Sequence, residues 1–228
     1  MKTQTIITLA LLAITACSST SKENKMTQKN MPYEYIGKSD TLFNFENDKE
    51  GQVPAGFSTA VTGNSKSTKW SVVNDNGNKA VAQEAINEGS CYNLLVLNKI
   101  GYKDFSATVK IKAISGEEDQ GGGLVWRYID KDNYYIARYN PLENNFRLYR
   151  VVDGSRKQLE SVDSDIKQGE WFTMTIEMKG NKIICSLNGK KLIETTDDTF
   201  KSAGLIGLWT KADAITYFDD LKIKPSNN

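Results

Sequence analysis

Three turn dipeptides constrain this chain more than any other feature. Asn76-Gly77 joins the run Trp70 to Val73 with Lys79 to Gln83, Asp153-Gly154 joins Phe146 to Val152 with Lys157 to Val162, and Asn188-Gly189 joins Lys182 to Leu187 with Lys191 to Thr195. Such pairs make two-residue hairpin turns because both central positions need positive φ. The flanking runs alternate. Ala107, Val109, Ile111 and Ala113 fall on one side of their segment, with Thr108, Lys110 and Lys112 on the other. Phe172, Met174, Ile176 and Met178 fall inward before Gly180-Asn181 turns the chain. This period of two is that of half-buried strands, and no long stretch carries the helical period. About a dozen strands with no helix between them predict an all-β chain built as an antiparallel sandwich or barrel.

The first residues follow different rules. Lys2 precedes an apolar run from Ile6 to Ile14, too short to span a bilayer, and residues 1–16 read as an export signal. Ile14-Thr15-Ala16-Cys17 resembles the bacterial lipobox, which implies that Cys17 carries a diacylglycerol and becomes the mature N-terminus. Two acyl chains suffice for stable attachment, so a membrane partner through a lipid anchor is expected. Residues 17–40 are rich in Ser, Lys, Asn and Gln, a composition that buries too little to offset chain entropy and reads as a flexible tether. Ser18, where aspartate often signals inner-membrane retention, permits an outer-membrane place in the cell envelope. Residues 41–228 remain for one domain with a single core.

Charge is balanced at 29 basic against 28 acidic residues, so nothing favours nucleic acid as a partner. The chain has no histidine, which excludes Ser-His-Asp and Cys-His catalysis and His-ligated zinc. Cys91 and Cys185 could pair in an exported protein; their apolar, strand-like surroundings read instead as two small buried hydrophobes.

The stretches GGGLVWRYIDKDNYYIARYNPLENNFRLYRVVDG, GEWFTMTIEMKGNKIICSLNGKKLIETTD and GLIGLWTKADAITYFDDLKIKP resemble the concanavalin A-like, or laminin-G-like, jelly-roll domains of bacterial exported proteins. More narrowly they are similar to domains grouped with family 16 glycoside hydrolases and with the 3-keto-disaccharide hydrolases. The resemblance covers roughly residues 41 to 225. It implies a jelly-roll sandwich of two antiparallel sheets, one of them bent into a groove where sugars lie. Fold alone carries no chemistry. Glu46-Asn-Asp48-Lys-Glu50 matches the spacing of the family 16 catalytic carboxylates, but it lies at the start of the domain and runs into Gly51, so it reads as a turn. Glu117-Glu118-Asp119 reads as a solvated loop run, and Glu177 as the outward residue of a strand. In 3-keto-disaccharide hydrolases Asn-Ser-Gly-Ile precedes an arginine; here Gly122-Gly123-Leu124-Val125-Trp126-Arg127 keeps the arginine and not the Asn-Ser.

If Leu124, Trp126, Tyr135, Ala137, Phe146 and Leu148 face the core, the opposite parity puts Arg127, Tyr134, Arg138, Arg147 and Tyr149 on the far side of adjacent strands, with Trp209 joining them. Rings stack on pyranose faces and guanidinium forks donate to hydroxyls or carboxylates, so these six are the expected carbohydrate-binding residues; the alternative is that acids neutralise the arginines and the rings bury in a wide core. At the chain ends, Glu46, Asp219 and Asp220 resemble the terminal-strand acids of jelly-roll carbohydrate-binding modules that share a structural calcium. No other cofactor is required. The expected function is carbohydrate binding without cleavage by an anchored lipoprotein. The alternatives are a glycoside hydrolase acting on 3-keto-disaccharides or related sugars, and a structural or protein-binding envelope module.

Overall fold

The computed structural model of the protein describes residues 31–64 and 67–226; the expected export signal, Cys17 and the expected tether up to residue 30 lie outside these. Among the described residues there are seventeen strands and no α-helix, and no helix there is long and apolar enough to cross a membrane.

Numbered along the chain, one sheet runs β12 (Ser155–Asp163), β11 (Asn145–Val152), β10 (Asn133–Asn140), β9 (Gly122–Asp130), β16 (Leu205–Lys211), β6 (Tyr92–Leu97) and β3 (Phe57–Thr62). The other runs β15 (Lys190–Thr196), β14 (Lys182–Leu187), β13 (Trp171–Lys179), β8 (Phe105–Ser115), β17 (Ile215–Pro225), β5 (Asn78–Gln83) and β4 (Trp70–Asp75), and β2 (Thr41–Phe43) pairs with β17 as its eighth strand. All pairings within the two sheets are antiparallel. The non-sequential neighbours β9-β16-β6 and β8-β17-β5 are the crossovers of a jelly roll. β1 (Tyr33–Ile36) pairs in parallel with β7 (Lys99–Gly101). That corrects the expected tether at its C-terminal end: Tyr33 to Ile36 are held by a ladder rather than free.

The predicted turns form as their chemistry requires. Both central residues have positive φ at Asn76-Gly77, Asp153-Gly154 and Asn188-Gly189, and each turn closes a two-residue hairpin. The alternation predicts the core equally well: Ala107, Val109, Ile111, Ala113, Phe172, Met174, Ile176 and Met178 are all buried. Between the sheets they join Leu124, Trp126, Tyr135, Ala137, Phe146 and Leu148, with Ala113 alone outside the main cluster. Cys91 and Cys185 are both buried free thiols, and burial pushes the Cys185 thiol up.

The seven-stranded sheet carries a second cluster on its other face, made by Tyr92, Leu94, Val96, Val125, Tyr134, Ile136, Tyr149, Val151, Leu205 and Trp209. We call this the outer face. Three strands separate β3 from β10, so a flat sheet would hold them roughly 19 Å apart at ~4.8 Å per step. Yet the Thr62 hydroxyl of β3 lies 2.8 Å from the Tyr134 hydroxyl of β10 and also donates to the Lys131 carbonyl in the β9–β10 turn. The sheet therefore curls until two of its corners meet over the outer face, as twisted antiparallel sheets can.

Candidate functional site on the outer sheet face

Register places the side chains of this face. Across β9, β10 and β11, Val125 stands opposite Ile136 and Ile136 opposite Tyr149, while Gly123 faces Arg138 and Arg138 faces Arg147. Trp209 of β16 aligns with Gly123. Gly123 itself cannot be replaced without moving β10, since a Cβ there would meet the Ala137 carbonyl oxygen at 1.8 Å. Five of the six expected groove residues, Tyr134, Arg138, Arg147, Tyr149 and Trp209, thus share one face, but all except Arg147 are buried, as the alternative of rings set in a core predicts.

Arg127 does not. Its φ is 49°, and the pairing of β9 with β16 shifts register between Leu205 and Gly207, so the strict alternation on which its assignment relied is broken at a bulge. The guanidinium is wholly buried and donates to three backbone carbonyls, Phe200 at 2.7 Å, Lys103 at 2.9 Å and Gly180 at 3.0 Å. Asp104 lies 3.6 Å away. Burial lowers the Arg127 pKa against the raising effect of Asp104. Arg127 clamps three loops together and lies away from the face that the other five share.

Two groupings make up the site. In the first, the Arg156 guanidinium of β12 lies over the rings of Tyr149 at 4.4 Å, Tyr92 at 5.1 Å and Trp209 at 5.9 Å from their centroids. Tyr92 and Trp209 also contact each other, with centroids 5.3 Å apart. A cation over ring faces is attracted by their quadrupoles. Tyr134 stands beside Tyr128, with centroids 6.0 Å apart, and burial raises its hydroxyl well above the ordinary range against the lowering effect of its Thr62 bond. Arg156 and Tyr92 were not expected here. Arg156 was nonetheless accessible to reasoning: a two-residue turn at Asp153-Gly154 sets Val151 opposite Arg156, hence on the same face as Tyr149.

In the second grouping, Glu143 Oε2 accepts from Arg138 Nη2 at 2.8 Å, Arg147 Nη1 at 3.0 Å and Asn145 Nδ2 at 3.0 Å. Burial alone would raise the Glu143 carboxyl, but the bonds from Arg138 and Asn145 and the charges of Arg138 and Arg147 outweigh it and hold the group down at about 2. Arg138 Nη1 donates to Asn145 Oδ1 at 2.7 Å, and its Nη2 reaches the Tyr149 hydroxyl at 3.4 Å. Asp119 accepts from Lys211 Nζ at 3.0 Å and from Asn140 Nδ2 at 3.2 Å. It is buried, which corrects the reading of Glu117-Glu118-Asp119 as wholly solvated. Burial raises its pKa, and Lys211 and Arg138 offset this only in part. A cavity of about 580 Å³ lies at the first grouping's end, lined in part by Gly63, Cys91 and Gly154, chain neighbours of Thr62, Tyr92 and Ser155-Arg156.

The profile described as a 3-keto-alpha-glucoside-1,2-lyase-like domain matches residues 39–224. The chain belongs to this family. No curated protein matches it. Among solved structures, the carbohydrate binding module CBM66 from Bacillus subtilis is similar with TM-score 0.62 and 17% identity over 74% of this chain and 95% of that one. The cellulose induced protein Cip1 gives TM-score 0.61 at 11% identity over 82% and 97% of the two chains. Domain 4 of the extracellular arabinanase AbnA from Geobacillus stearothermophilus, solved with arabinotriose, gives TM-score 0.54 at 14% identity over 81% and 91%. At these identities the likeness is one of fold.

In this 3-keto-alpha-glucoside-1,2-lyase-like domain the expected calcium residues are otherwise engaged. Glu46 Oε1 accepts from the Lys79 backbone N–H at 3.0 Å, Asp219 Oδ2 from Asn78 Nδ2 at 3.1 Å, and Asp220 pairs with Lys110 at 2.7 Å. The Lys79 ammonium takes the carbonyls of Glu46 at 3.0 Å and Asp48 at 2.8 Å, so an ammonium supplies the positive charge where these oxygens converge. Among the described residues no group of three acidic or other metal-ligating side chains is placed to hold a metal. A bulge lies between Asp219 and Lys222 in the pairing with β8, next to Phe218, which breaks the apolar parity of Ile215, Tyr217, Leu221 and Ile223. Glu46 and Asp48 sit in a turn, not side by side on a catalytic strand.

Proposed function

We propose that the protein is an exported lipoprotein, anchored to the cell envelope through diacylated Cys17, whose domain binds carbohydrate on the outer face of the seven-stranded sheet. One observation carries the binding reading: Tyr92, Tyr134, Tyr149 and Trp209 gather on that face with Arg138 and Arg147 at its polar end. Rings with nearby guanidinium forks suit the two sides of a sugar, its apolar C–H faces and its hydroxyls. The sugar-binding neighbours named above support the same use of the fold. Isothermal titration of the full-length protein in detergent against a set of oligo- and polysaccharides tests it: binding that is weakened in Tyr149→Ala supports the reading, and no binding across the set overturns it. Palmitate labelling that is lost in Cys17→Ser tests the anchor.

A second reading, glycoside hydrolysis, is favoured by one specific feature. Asp119 and Glu143 flank Arg138 with pKa values pushed in opposite directions, the condition under which one carboxyl serves as acid and another as base. Reducing-sugar release by the wild type that is lost in Asp119→Asn and in Glu143→Gln would establish it; release unaffected by both changes would exclude this pair.

A further inference from the structure

The distribution of charge on the outer face points to a narrower class of ligand. The chain has five arginines. Arg127 lies near Asp104, Arg150 pairs with Asp197 at 2.7 Å, and Arg138 and Arg147 share the single carboxylate of Glu143. Arg156 has no carboxylate within ion-pair distance among the described residues; ring faces hold it. Three guanidiniums therefore surround Tyr149: Arg156 over its ring, Arg138 with Cζ 5.9 Å from its centroid, and Arg147 on the strand position facing Arg138. Only Glu143 is in ion-pair contact with them; Asp119, which Arg138 and Arg147 also attract, shares Lys211 with Glu118, so three carboxylates answer four cations.

Two guanidinium nitrogens in this set are also unused. Arg156 Nη1 and Arg138 Nε are buried and have no hydrogen-bond partner. Buried donors without acceptors are costly, and most in folded proteins are satisfied. A guanidinium is always charged and presents a fork that fits carboxylate or sulfate oxygens in pairs. Arg147 and Glu143 are part-exposed, so the cluster is reachable from solvent at the Arg147 end.

We propose that the saccharide taken at this face is anionic, and that its carboxylate or sulfate oxygens are received by Arg156 and Arg138 on either side of Tyr149. This rests on the carbohydrate-binding reading above and narrows it to uronate-bearing or sulfated glycans. The ligand supplies the anion that the cluster lacks. Glu88, which is exposed and lines the neighbouring cavity along with Gly154, has no ion pair with these arginines among the described residues.

The test uses the full-length protein in detergent, titrated at low salt with four probes: polygalacturonate, its fully methyl-esterified form, dextran and dextran sulfate. Binding of polygalacturonate tighter than its ester by about tenfold or more is expected, the size of one charge-assisted hydrogen bond. The preference is lost in Arg156→Gln and kept in part in Arg156→Lys, while both variants melt within a few degrees of the wild type. Preference for polygalacturonate over dextran sulfate assigns the anion as a carboxylate, and the reverse assigns a sulfate ester. Equal binding of charged and neutral polymers, or a preference that survives Arg156→Gln, overturns the inference while the carbohydrate-binding reading stands. Binding of none of the four, or of any broader saccharide set, overturns both. If Arg156→Gln fails to fold, the same preference measured in Arg138→Lys and in the wild type at rising salt decides the matter: no change in either removes the anion site.

Discussion

Arg127→Ala should act on folding and not on ligand binding. The substitution deletes three hydrogen bonds to the carbonyls of Phe200, Lys103 and Gly180, at 2.7, 2.9 and 3.0 Å. These carbonyls belong to the segment before β16, the approach to β8 and the β13–β14 turn, so a single guanidinium links parts of both sheets. Each bond is charge-assisted, worth about 1.5–3 kcal/mol in isolation, but they share one side chain and do not add. Removing one partner of a buried charged group typically costs ~3–5 kcal/mol, chiefly through the polar groups left unpaired. For a domain of this size each kcal/mol shifts the midpoint by roughly 2–4 °C, so a fall of roughly 6–20 °C is expected. Because φ at position 127 is 49°, Arg127→Gly relieves backbone strain and should lose somewhat less than Arg127→Ala. Calorimetry of the two variants, with saccharide titration of whatever remains folded, reads both effects. An unchanged melting curve with weakened saccharide binding would refute the argument and return Arg127 to the binding face.

Two further outcomes follow from the site geometry. Excess chelator should leave the melting temperature unchanged, whereas Lys79→Met, which strips the ammonium from the Glu46 and Asp48 carbonyls, should cost about 1–3 kcal/mol of stability; a fall in melting temperature on chelation would establish a structural calcium. Glu143, held near 2 instead of its ordinary 4.5, contributes stability that is present above the ordinary value and lost as pH falls toward 2. The group is part-exposed, so the amount is small, below about 1 kcal/mol. Acid melts should flatten between those values in Glu143→Gln, and a carbon-13 titration of the Glu143 carboxyl with a midpoint at 4.5 would contradict the bond geometry.

Much of this architecture is legible in the residue order. The three Gly-containing turn pairs fix hairpins whose positive φ no other common pair supplies so readily, and the alternation from Ala107 to Ala113 and from Phe172 to Met178 marks the buried faces one residue at a time. The same parity brings Tyr134, Arg138, Arg147 and Tyr149 onto one face. It fails at Arg127, because a bulge inserts one residue and local polarity gives no sign of it. It fails at Asp119 for a different reason: a run of three acids looks solvated, and only the arrival of Lys211 and Asn140 from distant strands explains why one of them is buried. The curl that brings Thr62 to Tyr134 is a property of the whole sheet, and no local pattern encodes it. Arg156 lay within reach, since the Asp153-Gly154 turn fixes its partner as Val151, but a long side chain folding back over Tyr149 and Tyr92 cannot be read from alternation.

The most direct test of the central claim is a crystal structure of the protein grown with a bound oligosaccharide, chosen as the tightest binder in titration. The account predicts sugar density against Tyr149 on the outer face of the seven-stranded sheet, within hydrogen-bond distance of Arg138, Arg147 or Arg156. Density on the eight-stranded sheet or at its edges, with the outer face empty, would contradict it.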